Sequence, residues 1–140
     1  NCVIANNEAA LAGGVYEPAL LEYSTIVNNK ATDNYSAFVL YNGRVRYCVI
    51  WGNKGGTAQV VKMNSYGTLD YSAIEGGFSG NSTLNLYAAN DDTYGPNFVS
   101  PSPDAGITKT SGNWNLLSIS PLIDRALIDN ETPSTDRLGT

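Results

Sequence analysis

The chain has 140 residues, of which 42% are apolar, so one domain with a hydrophobic core is expected. Its formal net charge is −5 with only 8 lysines and arginines, which argues against nucleic acid as a partner because phosphate binding needs clustered cations. No apolar run approaches the roughly 18 residues that a membrane-spanning helix needs, so we predict no membrane span in this chain.

The first predicted element is a short strand that recurs along the chain. In each copy a Cys or Ser is followed two residues later by Ile. A repeat of roughly 20–30 residues is typical of a solenoid, in which each unit buries its apolar face against its neighbours. The four copies occupy residues 2–5, 24–27, 48–51 and 72–75.

Two columns of apolar residues are expected to form the core of these repeats. Side chains alternate between the two faces of a strand, so the Ile of each copy should point inward. The apolar residue three positions before the Cys or Ser should do the same. The predicted core stack is therefore Ile4, Ile26, Ile50 and Ile74, beside Leu21, Val45 and Leu69.

Each repeat contains two further predicted strands. One follows a turn rich in Asn and Gly, at 14–16, 37–40, 59–61 and 83–86, and the other precedes the next repeat, at 19–22, 43–46 and 67–70. Three strands and three turns per repeat predict an all-β, single-stranded parallel β-helix with about four coils of 22–24 residues over 1–86. The leucine-rich-repeat frame and a helical apolar period are both missing, which argues against those solenoids.

A column of tyrosines precedes the Cys or Ser positions. Tyr23, Tyr47 and Tyr71 should stack at a bend, and Trp51 lies on the next outward row. This aromatic surface has two interpretations. It is either a platform that binds glycans, or a ribbon that stabilises the solenoid and is covered by the 87–112 segment. We favour the second, because cross-strand aromatic pairs are ordinary stabilisers of sheets.

A charged column lies one residue before the tyrosines. Glu22, Arg46 and Asp70 should alternate as acid, base and acid, an order that fixes the register of the strands. We expect exposed pairs, which contribute about 0.2–1 kcal/mol each. A structural role is favoured over a catalytic one.

The two cysteines, Cys2 and Cys48, occupy the same repeat position two coils apart. Their Cα atoms should then be about 9.6 Å apart, twice the spacing of neighbouring strands. A disulfide needs less than about 7 Å. We therefore predict two free thiols, both buried as small apolar groups.

Residues 87–112 are predicted to form a long irregular excursion. Asp91 and Asp92 form the one adjacent acidic pair of the sequence, and turn-forming residues flank them. We interpret them as solvated loop acids, because the alternating acidic spacing of a calcium loop is missing. A loose calcium site is the alternative. No other cofactor is expected. The chain has no His, which excludes His-dependent nucleophilic triads, and we find no complete catalytic constellation.

Residues 113–140 are predicted to form a C-terminal cap of the same domain. After Trp114 the segment carries several apolar side chains that we expect to pack over the last coil and close the core. These are Leu116, Leu117, Ile119, Leu122 and Ile123.

Five runs also carry a family resemblance when they are taken in order, at residues 47–53, 71–77, 95–99, 113–116 and 120–124. They resemble the final coils and C-terminal region of bacterial right-handed parallel β-helix surface proteins, the group with polymorphic outer-membrane-protein-like repeats and choice-of-anchor C termini. The resemblance implies a right-handed solenoid on the bacterial cell surface or outside the cell. It also implies that this chain is a fragment of a longer exported protein.

The resemblance leaves the activity open, because such folds serve many roles. A non-catalytic adhesive or structural module is the leading expectation. The alternative is part of a carbohydrate-active protein, a polysaccharide lyase or glycoside hydrolase, or a glycan-binding module. Surface glycans, host glycans or a host protein are the expected partners. The open edge of the first coil would also permit self-association.

Overall fold

The computed structural model describes residues 2–55, 61–76, 85–87, 95–102 and 112–123, and for 85–87 only the backbone. The described chain is all-β, and none of its residues lies in a helix, so it contains no helix suited to crossing a bilayer. The strands are β1 (Val3–Ala5), β2 (Glu8–Leu11), β3 (Val15–Tyr16), β4 (Leu20–Glu22), β5 (Thr25–Val27), β6 (Lys30–Asn34), β7 (Phe38–Arg46), β8 (Val49–Trp51), β9 (Lys54–Gly55), β10 (Val61–Asp70), β11 (Ser72–Ile74), β12 (Asn85–Tyr87), β13 (Phe98–Ser100) and β14 (Asn113–Leu116).

Strands β1 to β12 form three separate parallel sheets. The first sheet has the order β1-β5-β8-β11-β12, and the second has the order β2-β6-β9. In the third sheet, β7 pairs with β10 on one side and with both β3 and β4 on the other. The chain passes from the first to the second to the third sheet and then returns to the first. Through β11, each strand therefore pairs with its counterpart in the neighbouring repeat. β12 departs from this order, because it pairs with β11 in the first sheet and its residues lie only 13 to 14 positions after their partners. The predicted strand at 83–86 was expected to align with 59–61 instead, so this part of the strand prediction is wrong.

A left-handed residue marks each bend from the third sheet into the first. Such a backbone is costly for a residue with a Cβ atom, and the side chain that follows it bonds across the bend. Ser24 Oγ donates to the Glu22 carbonyl at 2.7 Å, and Ser72 Oγ donates to the Asp70 carbonyl at 2.8 Å. The three bends are at Tyr23 (φ 48°), Tyr47 (φ 54°) and Tyr71 (φ 47°).

One apolar core contains buried residues from both the first and the third sheet. In the first sheet the register aligns Ile4 with Ile26, Ile26 with Ile50, and Ile50 with Ile74. In the third sheet it aligns Val45 with Leu21 on one side and with Leu69 on the other. The remaining core positions include Phe38, Leu40 and Val61.

The second sheet has no counterpart in the predicted strands. Its strands follow directly after the Asn- and Gly-rich turns, where no strand is predicted from the sequence. Glu8, Lys30 and Lys54 begin them, and Lys30 Nζ lies 3.0 Å from Glu8 Oε1. Because of these polar residues, the three strands lack the alternating apolar pattern by which a half-buried strand is recognised in a sequence.

The long strands β7 and β10 each run through a position where two separate strands are predicted. β7 passes Gly43, whose φ of +127° suits only glycine, and a Cβ there would collide with the Pro18 carbonyl oxygen. The neighbouring repeat does break, into β3 and β4, because Glu17 is left-handed (φ 47°) and Pro18 has no N–H to donate.

Strands β13 and β14 form a separate antiparallel pair, with Phe98 opposite Leu116. Three of the C-terminal apolar residues that are expected to pack over the last coil are partly or largely exposed. Ile119 is 76% exposed, Leu117 38% and Ile123 40%. Residues 124–140 of the predicted cap lie outside the described residues.

Candidate functional site

The predicted tyrosine column is present as a ladder of stacked rings. Tyr23 and Tyr47 have ring centroids 5.0 Å apart and planes 13° apart, and Tyr47 and Tyr71 have values of 5.3 Å and 15°. Tyr47 is buried between the other two. Both faces of its ring are covered by neighbours, so this tyrosine cannot offer a face to a sugar.

Two members of the charged column, Arg46 and Asp70, are buried rather than exposed, and Glu22 is half-buried. Arg46 pairs with Glu22 through Nε and Oε1, and only 5% of Arg46 is exposed. Its guanidinium also lies 5.3 Å from the Tyr47 ring centre. Asp70 is 8% exposed, and its Oδ2 lies 3.8 Å from Arg44 Nε. These contacts tie the carboxylates to arginines beside the tyrosine ladder, which leaves them a structural role.

An asparagine ladder lies at the turn between the first and second sheets. Asn29 Oδ1 accepts from Asn7 Nδ2 at 2.9 Å, and Asn29 Nδ2 donates to Asn53 Oδ1 at 3.0 Å. The same amide groups bond the main chain, since Asn29 Nδ2 donates to the Ile4 carbonyl and Asn53 Nδ2 to the Ile26 carbonyl. The sequence signal for this ladder is the recurrence of Asn at the repeat spacing, which alone predicts only a turn.

The two cysteines are free, as predicted, but only one of them is buried. Cys48 is 2% exposed, and burial raises the pKa of its thiol to about 12. Cys2 is exposed, because it precedes β1, which is an edge strand of the first sheet in the described structure.

Trp51 lies apart from the ladder on an outward row of the first sheet, where it aligns with Val27. Val27 is fully buried, although its row points away from the Ile stack. The segment that follows β13 contacts Asn28, the residue after Val27, because Asn28 Nδ2 donates to the Ser102 carbonyl at 2.7 Å. Part of the predicted 87–112 excursion therefore lies beside the Val27–Trp51 row.

A cleft of about 280 Å³ opens between this row and the β13–β14 pair. Trp51 and Trp114 both line it, and Phe98 packs edge-on against Trp114 with centroids 5.3 Å apart. The remaining lining residues are Asn28, Gly52, Gly95, Pro96, Asn97 and Pro101.

Two backbone features shape the floor of the cleft. Gly52 is left-handed (φ +65°), and a Cβ there would collide with Asn28 Oδ1, so the Asn28 side chain packs directly over it. The Gly52 N–H donates to Glu75 Oε2 at 2.8 Å. Gly52 therefore lets Asn28 reach Ser102 and hold the cleft wall in place.

Among the described residues that line the cleft, none has an ionisable side chain, and the Glu75 carboxylate accepts from the Gly52 N–H beside it. The described lining offers aromatic surface and amide groups to a ligand. No group of three metal-ligating side chains occurs among the residues that the structure describes. The predicted calcium pair, Asp91 and Asp92, lies outside them.

A second aromatic cluster, which was not predicted, lies at the third sheet and the turn that precedes β7. Lys62 Nζ lies 5.2 Å from the Tyr35 ring centre and 5.3 Å from the Tyr41 ring centre. Hydrogen bonding to Tyr41 and the nearby tyrosines raises the pKa of Lys62. The ammonium is held by its own neighbours, which makes this cluster a poorer binding site than the cleft.

Comparisons of the chain with protein-family models, with curated proteins and with solved structures gave no match in any of the three.

Proposed function

We propose that this chain is a section of an exported bacterial cell-surface protein, folded as a right-handed parallel β-helix and serving as a non-catalytic adhesive or structural module. The observation that carries the proposal is the set of side-chain ladders in register along successive repeats. Tyrosine, asparagine, isoleucine and charged ladders all follow the same repeat spacing. Repeats that stack in this way bury their surface against one another and need no further partner to do so.

The order of the sheets supports the β-helix. The chain visits three parallel sheets in turn and returns to the first one strand further along. Connections between neighbouring parallel strands of one sheet are right-handed in about 98% of cases, which supports the right-handed form. The single core shared by the first and third sheets fits two walls of one coil.

The contacts of three described carboxylates support a non-catalytic role. Glu22 and Asp70 are held by arginines, and Glu75 accepts a backbone N–H. A glycoside hydrolase needs two carboxyl groups about 5–9.5 Å apart across the scissile bond. The aromatic cleft offers surface for a sugar, and no such pair occurs among its described lining residues.

The proposal is tested by immobilising the protein and passing neutral and acidic polysaccharides and a mucin-type glycoprotein over it. We expect retention of at least one glycan with no new reducing ends and no unsaturated uronate absorbance. Product formation by the purified protein would contradict the non-catalytic assignment. Clean passage of every glycan would contradict the adhesive form and leave the structural one.

The second candidate is the alternative named above, a glycan-binding part of a carbohydrate-active protein. The observation that favours it is the pair of indoles in one cleft. It requires catalytic groups elsewhere in the protein. Polysaccharide cleavage by a longer form of the protein, with none by this chain, would favour it.

A further inference from the structure

Both tryptophans of the chain line the same cleft. The sequence has only two, Trp51 on β8 and Trp114 on β14, and they are far apart in sequence. Both remain partly exposed. Large aromatic rings usually bury their surface in a core or an interface, so two partly exposed indoles in one concave site indicate a ligand with an apolar face.

The polar groups of the cleft restrict the charge of that ligand. Asn28 and Asn97 supply the side-chain amides of the described lining, and none of the described lining residues is ionisable. The Asn97 side chain makes no hydrogen bond to another described residue, and the residue is held in a left-handed conformation (φ 51°). Its backbone carbonyl accepts from the Leu117 N–H at 2.8 Å, which fixes its position between β13 and β14. An amide both donates and accepts, as a neutral hydroxyl does.

The volume restricts the size. At about 280 Å³ the cleft is slightly below the range of roughly 300–1,000 Å³ for drug-sized ligands. A ligand of one or two small rings fits this space, and a longer chain would extend out of its open side.

We propose that this cleft binds a neutral hexopyranose unit, stacked on Trp51 and Trp114 and hydrogen-bonded by Asn97. A pyranose ring combines flat C–H faces with neutral hydroxyls at its edge, which are the two surfaces that the lining offers. The inference rests on the adhesive form of the proposed function and names its ligand and its site. The sugar platform is therefore assigned to the tryptophans instead of the tyrosines, because both faces of the Tyr47 ring are already covered by Tyr23 and Tyr71.

Tryptophan fluorescence tests the proposal directly, since all of the signal comes from the cleft. The full chain is titrated with maltotriose, cellotriose and mannotriose, and with trigalacturonate as a charged counterpart. We expect a saturable change in emission with at least one neutral trisaccharide and a much weaker response to trigalacturonate. No response to any neutral probe at about 10 mM, ten times a 1 mM dissociation constant, would overturn the proposal, as would a preference for trigalacturonate.

Variants separate the cleft from the rest of the surface. Trp51→Ala should weaken binding by about tenfold or more, read by calorimetry, whereas Tyr66→Ala should not change it, because Tyr66 is 77% exposed and does not line the cleft. Trp114→Phe keeps an aromatic wall and leaves Trp51 as the single fluorophore, which covers the case in which Trp51→Ala fails to fold. Unchanged affinity in a folded Trp51→Ala variant would overturn the assignment of the site.

The glycan-retention experiment distinguishes failure of the site from failure of the function. Retention that persists undiminished in Trp51→Ala would place adhesion on another surface and overturn only the cleft assignment. Loss of retention in the unsubstituted protein would overturn the adhesive function together with the site that rests on it.

Discussion

Asn29 shows how much one side chain contributes to the turn between the first and second sheets. Its amide accepts from the backbone and the side chain of Asn7 and donates to Asn53 and to the Ile4 carbonyl, all while the residue is fully buried. Buried polar groups are costly unless they are bonded, so the ladder is stable only when every rung is filled.

Replacing this amide should therefore be strongly destabilising. Asn29→Ala removes four hydrogen bonds and leaves the Ile4 carbonyl and the Asn7 amide without their partner. We expect a loss of about 3 kcal/mol in the free energy of unfolding, measured by urea denaturation. Asn42→Ala, at an exposed position of β7, is the control and should change stability by less than about 0.5 kcal/mol. Similar losses in the two variants would contradict the ladder.

The buried thiol of Cys48 makes stability depend on alkaline pH. Its folded pKa is raised to about 12, whereas an unfolded cysteine titrates near 8.5. Above pH 8.5 the unfolded chain releases a proton that the folded chain keeps, so stability falls by about 1.4 kcal/mol per pH unit until about pH 12.

Two variants test this pH dependence, Cys2→Ser alone and Cys2→Ser combined with Cys48→Ser. Serine is the replacement because it occupies the same repeat position at Ser24 and Ser72. The double variant is the control, since its pH dependence reports every titrating group other than the Cys48 thiol. Between pH 8.5 and 10 the single variant, which keeps Cys48, should lose about 2 kcal/mol more stability than the double variant. Both are measured by urea denaturation at the two pH values. Equal losses would show that Cys48 is accessible to water.

Among the elements, the tyrosine ladder joins the third sheet to the first. Each ring stacks on the next while its own backbone is left-handed, and the Cys or Ser that follows bonds across the bend. Ring stacking contributes about 0.5–1.5 kcal/mol per pair beyond the buried area. The ladder therefore offsets the backbone strain at the bends with contacts between repeats.

One tyrosine of the ladder has a hydroxyl whose hydrogen bonding is incomplete. The buried Tyr23 hydroxyl has no hydrogen-bond partner among the described residues. Tyr23→Phe removes this oxygen and keeps the ring, so we expect stability to rise by about 1 kcal/mol, seen as a higher midpoint of thermal unfolding. Tyr71→Phe is the matched control and should change stability by less than about 0.5 kcal/mol. A clear loss of stability in Tyr23→Phe would mean that the hydroxyl is bonded.

For the whole molecule, the proposed solenoid requires the repeats to follow one another in strict spatial order. Ile26 and Ile50 have neighbours on both sides in the first sheet and are fully buried, whereas Ile4 lies on the edge strand and is only partly buried. Interior and edge repeats should therefore differ in stability, since each unit contacts only its neighbours.

Engineered disulfides test this order. Thr25 lies opposite Val49, and Val49 lies opposite Ala73. In a Cys2→Ser, Cys48→Ser background, cysteines at positions 25 and 49 should oxidise to a disulfide, because neighbouring strands are about 4.8 Å apart. Cysteines at positions 25 and 73 are two strands apart and should stay reduced. A disulfide in the second pair, judged by mass spectrometry, would contradict the stacking.

The sequence was sufficient for the parts of the fold that depend on repeated apolar positions. The aligned Ile residues and the column of Leu21, Val45 and Leu69 follow from side-chain alternation and the repeat spacing alone. The second sheet could not be predicted in this way, because its strands begin with Glu8, Lys30 and Lys54 and lack an apolar period.

Only one of the two tryptophans of the candidate site could be predicted from the sequence. Trp51 could be identified from its position in the repeat, but Trp114 lies in a segment that does not repeat, and its approach to Trp51 depends on how β13 and β14 return to the first sheet. The burial of Arg46 was also missed, since the pattern of charges predicts their alignment but not what covers them.

The spacing of the repeats also bears on how such a chain tolerates insertions and deletions. Glu8 pairs with a residue 22 positions later, but Leu20 pairs with one 24 positions later, and the difference is absorbed at the Ala9–Leu11 irregularity and between Tyr16 and Leu20. The third sheet absorbs another register change between Met63 and Tyr66. Within β1-β5-β8-β11 the register has no irregularity, so the isoleucines stay aligned there, whereas the β11–β12 pair at the end of the same sheet shifts between Ser72 and Ala73. Repeat length can therefore change at the other sheets and at the β11–β12 end without moving the aligned isoleucines.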